Sequence, residues 1–242
     1  MDKPYYLAYE ERYQAAFAAG IDYWGHDPGD TTLAEALDGW VKANRLSGRR
    51  VIEFACGEGA AGILLSRLGC RYLGVDIAPS AVEKTKQRLA GFQNAQVRLL
   101  DMVTQAAGDE YDAALDCSGL HMLVTDQDRR AYLRNAFHSL KPGAPMLFFR
   151  ELYQENAYTG ACGSYAEWKA ITGDDYDTPQ LRHGRAGDRD IAVRIPLIPG
   201  RAKNRDGYIR EMEEAGFIVE DFVEMAVNRQ IPYSASLYVR KP

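Results

Sequence analysis

The chain has 242 residues, 46% of them hydrophobic and 26% charged, which is enough for one sizeable core with an added lobe. A formal net charge of −5 supplies no global basic field for nucleic acid or an anionic membrane. No apolar run approaches the ~18 residues of a membrane span, and the opening Met1-Asp2-Lys3-Pro4-Tyr5 lacks the pattern of a signal peptide.

Tyr6, Tyr9, Tyr13 and Phe17 recur on one face of a helix over 4–19, with Pro4 in its first turn and Gly20 as its stop. These tyrosines read either as packing against the main domain or as one wall of a ligand site. Trp24 and His26 follow in an aromatic loop. A second helix over 31–44, capped by Thr31 or Thr32, places Leu33, Leu37, Trp40 and Val41 on one face.

From residue 51 the pattern alternates. A strand ending near Phe54 enters a glycine-rich turn, which opens into a helix reaching Leu68. Strands over 69–76, 96–101, 111–116 and 144–150 follow, with helices over 79–89 and 126–140 between them. Strands alternating with helices at this spacing predict a parallel α/β sheet covered on both faces, with ligands outside the carboxyl ends of its strands. After Glu151 the alternation stops. Residues 152–200 are too long for a plain connector and read as a lid insertion, with a helical piece over 164–172 and a strand over 191–195. A helix over 204–215 and an antiparallel pair of strands over 217–223 and 235–240 complete the chain. The expected organisation is an N-terminal helical cover over 1–47 and a catalytic domain over 48–242. Its fold is α/β: a doubly wound, mostly parallel, seven-stranded Rossmann-like sheet with an antiparallel final strand.

Gly57-x-Gly59-x-x-Gly62 satisfies the dinucleotide fingerprint, and Asp76 follows by about 20 residues as a ribose-binding acid. Alone, that match points to an NAD(P)-binding oxidoreductase. Glu53 at the strand end and Glu58 in the turn oppose it, because both would repel a diphosphate. A ligand with an ammonium beside the turn and an adenosine beyond it fits better.

Over about residues 48–150 the chain resembles the class I S-adenosylmethionine-dependent methyltransferases. The resemblance rests on Glu53-Phe54-Ala55-Cys56-Gly57-Glu58-Gly59, Gly74-Val75-Asp76-Ile77, Leu99-Leu100-Asp101-Met102, Tyr111 to Cys117 and Leu140-Lys141-Pro142-Gly143. It implies S-adenosylmethionine as cofactor and S-adenosylhomocysteine as product. Glu53 would organise the turn and the methionine ammonium. Backbone at Ala55, Cys56, Gly57 and Gly59 would meet the amino-acid end and ribose, and Asp76 the ribose hydroxyls. Ile77 would pack on adenine, Asp101 and Met102 would meet its polar edge, and Asp116 and Cys117 would line the mouth near the sulfonium. Ala55 stands where the commonest version has glycine, which matters only if that position needs a positive φ.

A base is needed when the nucleophile carries a proton of high pKa. His121, just past the fourth strand, is the first candidate, with a backbone-bonding role as the alternative; His26 is the second. The insertion is rich in arginine, and Arg182 and Arg194 are candidates for capturing a substrate carboxylate or phosphate. Tyr9, Tyr13 and Trp24 are candidates for embracing a cationic amine. The four cysteines show neither metal nor redox spacing, and no metal is expected. The expected protein is a cytoplasmic methyltransferase of a small, amino-acid-derived or zwitterionic metabolite, with no nucleic-acid or membrane partner. A catalytically silent cofactor-binding protein remains the non-enzymatic alternative.

Overall fold

The structure is a computed structural model that describes residues 4–108, 110–187, 189–225 and 233–242. A seven-stranded sheet forms its centre. The strands are β1 (Arg50–Phe54), β2 (Arg71–Asp76), β3 (Ala95–Leu99), β4 (Ala113–Cys117), β5 (Pro145–Leu152), β8 (Ile218–Met225) and β9 (Ser234–Arg240), in the order β3-β2-β1-β4-β5-β9-β8. β1 pairs in parallel with both β2 and β4, and β9 runs antiparallel to β5 and β8. The chain begins at the centre, winds outward to β3, then returns to β4 on the other side of β1. This reversal opens a crevice at the carboxyl ends of β1 and β4.

Period-2 alternation divides the core into two faces. Val51, Ala113, Leu115, Leu147 and Phe149 pack toward α2 (Thr31–Ala43) and α3 (Ala60–Arg67). Ile52, Phe54, Ala114, Met146 and Phe148 pack toward α5 (Asp126–His138) and α7 (Arg205–Glu214). α4 (Pro79–Leu89) joins β2 to β3. The cap of α2 differs from expectation: Asp30, not Thr31 or Thr32, accepts from the N–H groups of Thr32 and Leu33 at 2.9 and 3.3 Å. A carboxylate here also favours the helix dipole.

The N-terminal helix is a single 3₁₀ turn, Tyr5–Ala8, running into α1 (Tyr9–Ala18). The segment after β5 holds α6 (Tyr165–Thr172) and a hairpin of β6 (Pro179–Ala186) with β7 (Arg189–Pro196). Sequence alone showed only the β7 half. Ile195 packs with Ala16 and Ile21, so the hairpin lies against α1. Arg201 pins the segment to the body through Asp126 (2.7 Å) and the carbonyls of Val124 and Gly160. No helix among the described residues is long and apolar enough to cross a membrane. The connection between the last two strands lies outside the described residues.

Candidate functional site

The glycine turn leaves β1 at Phe54 and enters α3 at Ala60. Ala55 takes φ 51°, so this position does need the left-handed backbone that alanine adopts at a cost. Glu53 is buried and accepts the Tyr72 hydroxyl at 2.5 Å. Burial pushes its carboxyl up to about 8; Tyr72 works against that shift, and Asp116 and Asp76 add to it. No cation pairs with Glu53 among the described residues, yet it faces the cavity. Asp76, at the end of β2, accepts from Gly57 N–H (2.8 Å) and Ala78 N–H (2.9 Å), which ties the turn to the second strand.

The opposite wall comes from the ends of β3 and β4. Asp101 and Met102 line the cavity together with Ile77. The Asp101 carboxylate already accepts from Val103 N–H and the Thr104 hydroxyl at 2.9 and 2.8 Å, holding its own turn. Asp116 lies beneath the wall. It accepts from Gly119 N–H (2.6 Å) and the Tyr132 hydroxyl (2.5 Å), and so shapes the Cys117-Ser118-Gly119 corner that does line the cavity.

His121 is corrected by the structure. It is 3% exposed and absent from the cavity wall. Its Nδ1 sits 2.8 Å from Glu151 Oε2, which also accepts its backbone N–H. Burial holds its imidazole down to about 4, leaving it neutral. The same burial raises Glu151 to about 7. His121 therefore braces the β4 corner against β5. Arg182 and Arg194 also stay off the cavity wall. They sit on the β6–β7 hairpin, Arg182 half-buried and Arg194 exposed, because the hairpin covers α1 rather than the crevice. Among the wall residues, only Ile198 comes from the insertion.

The third wall is aromatic. Tyr6, Tyr9 and Tyr13 reach it from the N-terminal helix, and the Tyr13 hydroxyl lies 3.0 Å from where a Cβ on Gly57 would stand. Arg12 joins them, a wall residue that sequence reading passed over. The loop carrying Trp24 and His26 is fastened to the glycine turn. Glu58 accepts Trp24 N–H at 2.5 Å, while Arg88 donates to the carbonyls of Glu58 (2.8 Å) and Asp22 and stacks on Tyr23. Burial raises Glu58 to about 7.

That fastening places His26 on the cavity wall. Its Nε2 is 3.1 Å from Ser118 Oγ, and its Nδ1 is 3.7 Å from Asp30 Oδ2. The imidazole holds the Asp30 carboxyl down to about 2. Ser118 takes φ 67°, a left-handed conformation that an L side chain rarely adopts and that clusters at functional sites. Thus Glu53, Ala55, Cys56, Gly57, Asp76, Ile77, Asp101, Met102 and Cys117 share one cavity with Tyr9, Tyr13, Trp24 and His26, while Gly59 caps α3 just outside it.

Residues 52–146 match the family model described as a methyltransferase domain. A methyltransferase structure from Clostridium acetobutylicum ATCC 824 aligns over 98% of both chains at 15% identity with a TM-score of 0.62. The glycopeptide N-methyltransferase MtfA, complexed with S-adenosylmethionine, aligns over 92% of this chain and 97% of its own at 18% identity and a TM-score of 0.61. Residues 52–146 thus carry a methyltransferase domain, and the whole chain is similar in fold to S-adenosylmethionine-dependent methyltransferases. Among curated proteins it is similar to the S-adenosyl-L-methionine-dependent Diels-Alderase iliD of Neonectria sp. (strain DH2). The two are 24% identical over 181 residues, which make up 73% of this chain but 61% of that relative's length.

Proposed function

We propose that the protein holds S-adenosylmethionine in the β1–β4 crevice and methylates a small molecule bearing an ionisable proton. The observation that carries this reading is Glu53, a buried carboxyl that faces the cavity beside the glycine turn with no cation paired to it among the described residues. An ammonium group there draws the carboxyl into its ionised form and pairs with it, whereas a diphosphate would meet a carboxyl beside the turn rather than a cation.

Glu53 would hold the cofactor's ammonium, Asp76 its ribose, and Asp101 with Met102 and Ile77 its adenine. When bound, the cofactor supplies a methyl carbon already activated by its sulfonium. The chain then has to align the acceptor, exclude water and remove a proton. Tyr9, Tyr13 and Trp24 wall the space against solvent. With its proton on Nδ1 toward Asp30, His26 accepts the Ser118 hydroxyl at Nε2 and takes the acceptor's proton through it, Ser118 Oγ receiving that proton as it passes its own to the ring. Asp30 stabilises the imidazolium that results, and Ser118 fixes the ring. This geometry suits a hydroxyl, or an amine that has yet to lose its proton.

Calorimetry with S-adenosylhomocysteine and with NADH tests the cofactor. Transfer of label from methyl-labelled cofactor to a metabolite pool tests the reaction. Binding of NADH alone would overturn the reading. A second reading, that the cofactor is bound but not consumed, is supported by the similarity to the S-adenosyl-L-methionine-dependent Diels-Alderase iliD. It requires turnover without release of S-adenosylhomocysteine.

A further inference from the structure

The described buried arginines fall into two kinds. Arg129 meets Glu211 through two contacts of 2.7 Å, and Arg201 meets Asp126 at 2.7 Å and two carbonyls, so both are paired struts. Arg12 is different. It is 6% exposed, lines the cavity, and donates through Nη2 alone, to Leu197 O at 2.8 Å. Among the described residues its Nε and Nη1 have no partner, and neither does the buried hydroxyl of Tyr9, whose ring lies 5.0 Å from the guanidinium carbon. Arg150 is also buried with free Nε and Nη1, but it is not on the cavity wall.

Buried donors in native proteins find acceptors, and an uncompensated buried guanidinium is costly. The space facing Arg12 is the cavity, so the missing acceptor belongs there. Nη2 gives Leu197 O one of its two hydrogens, so one edge of the guanidinium, Nη2 with Nη1 or Nη2 with Nε, keeps two parallel N–H groups that match a planar carboxylate, and a hydroxyl beside it adds a third donor. A phosphate dianion fits poorly in a cavity that also holds Glu53, Glu58, Asp76 and Asp101. An amine would be repelled by Arg12.

We propose that Arg12 and Tyr9 form a seat for one carboxylate group in the cavity, brought by the acceptor molecule or by the amino-acid end of the cofactor. The inference rests on the methyltransferase reading, which supplies both sources.

The test compares wild type with Arg12→Met by calorimetry, after circular dichroism and thermal melting establish that both are folded. S-adenosylhomocysteine carries the carboxylate; 5′-methylthioadenosine lacks the whole amino-acid end. A loss of affinity of about tenfold or more for the first, with the second unchanged, supports the seat and assigns it to the cofactor. Unchanged S-adenosylhomocysteine affinity, with saturable benzoate binding to the loaded wild type that Arg12→Met loses and benzamide never shows, supports the seat and assigns it to the acceptor. If both proteins bind S-adenosylhomocysteine and benzoate alike, the seat is overturned while the methyltransferase reading stands. If wild type binds no S-adenosylhomocysteine, that reading falls, and benzoate against the free proteins decides the seat alone. Should the methionine variant not fold, Arg12→Lys and Tyr9→Phe repeat the comparison, each expected to lose about threefold or more of the same affinity; no loss in either overturns it.

Discussion

The Tyr72 hydroxyl reaches Glu53 at 2.5 Å by passing directly over Gly62. A Cβ at Gly62 would stand 2.7 Å from the Tyr72 ring, closer than real contacts allow. The third glycine of the fingerprint therefore serves helix–strand packing, and through Tyr72 it sets the carboxyl that defines the ligand. Gly62→Ala is expected to displace the ring and cost about 1–3 kcal/mol of stability by overpacking. It should also weaken S-adenosylhomocysteine binding. Urea unfolding and calorimetry measure the two effects. A variant with wild-type stability would show that the ring yields freely.

Glu53 also sets a pH dependence. Its folded carboxyl titrates at about 8, against 4.5 for the unfolded chain, because burial disfavours the charged form. A raised folded value means the folded state binds the extra proton. The stability Glu53 contributes is thus fully present below pH 4.5 and is lost as pH rises through 8. Glu58 and Glu151, both raised to about 7, act in the same direction. The ligand-free protein should melt at progressively lower temperature between pH 5 and 8.5, and Glu53→Gln should flatten part of that slope. At pH 7 the carboxyl is protonated before ligand binds and must ionise to face an ammonium. Cofactor binding should therefore release a proton, seen as a dependence of the calorimetric enthalpy on the buffer's ionisation enthalpy, and Glu53→Gln should abolish the release.

Ala55 holds a strained backbone at φ 51° where glycine would sit without penalty. A left-handed alanine costs about 1–2 kcal/mol, and glycine returns part of that through the freedom it adds to the unfolded chain. Ala55→Gly is expected to stabilise the protein by up to about 1 kcal/mol, read as a higher urea midpoint with an unchanged slope. A lower midpoint would mean that the Ala55 methyl, which packs beside Gly119, contributes more than the strain costs.

The sheet and the β1–β3 side of the cavity wall were legible because each rests on local signals. Strand and helix periods gave the alternation, and acids at successive strand ends gave the crevice. The β6 strand was not legible, since Gln180, Arg182, His183 and Arg185 break any apolar alternation and its partner β7 supplies the pairing. Arg12 was hidden for a similar reason. A charged residue on an amphipathic helix reads as solvent-facing, and nothing local shows that the hairpin closes over α1. The His26–Ser118 contact spans 92 positions and exists only once Glu58 and Arg88 fasten the loop.

That contact separates the two histidines by experiment. His26 sits on the cavity wall with Ser118 at one nitrogen and Asp30 behind the other, whereas His121 is buried, neutral and bonded to Glu151. His26→Ala is expected to lower kcat by about 10²–10⁴ with little change in S-adenosylhomocysteine affinity, the range for losing a general base. Asp30→Asn keeps an N-cap for α2 while removing the charge behind the ring, so it should cost activity with little loss of stability. His121→Ala leaves the buried Glu151 carboxyl and the Leu152 N–H without their ring partner, and should lower stability by about 1–3 kcal/mol. Its kcat, measured on the folded fraction, should stay near the wild-type value. A large loss of kcat in His121→Ala, with activity retained in His26→Ala, would move the proton acceptor from the wall of the cavity to the brace beneath it.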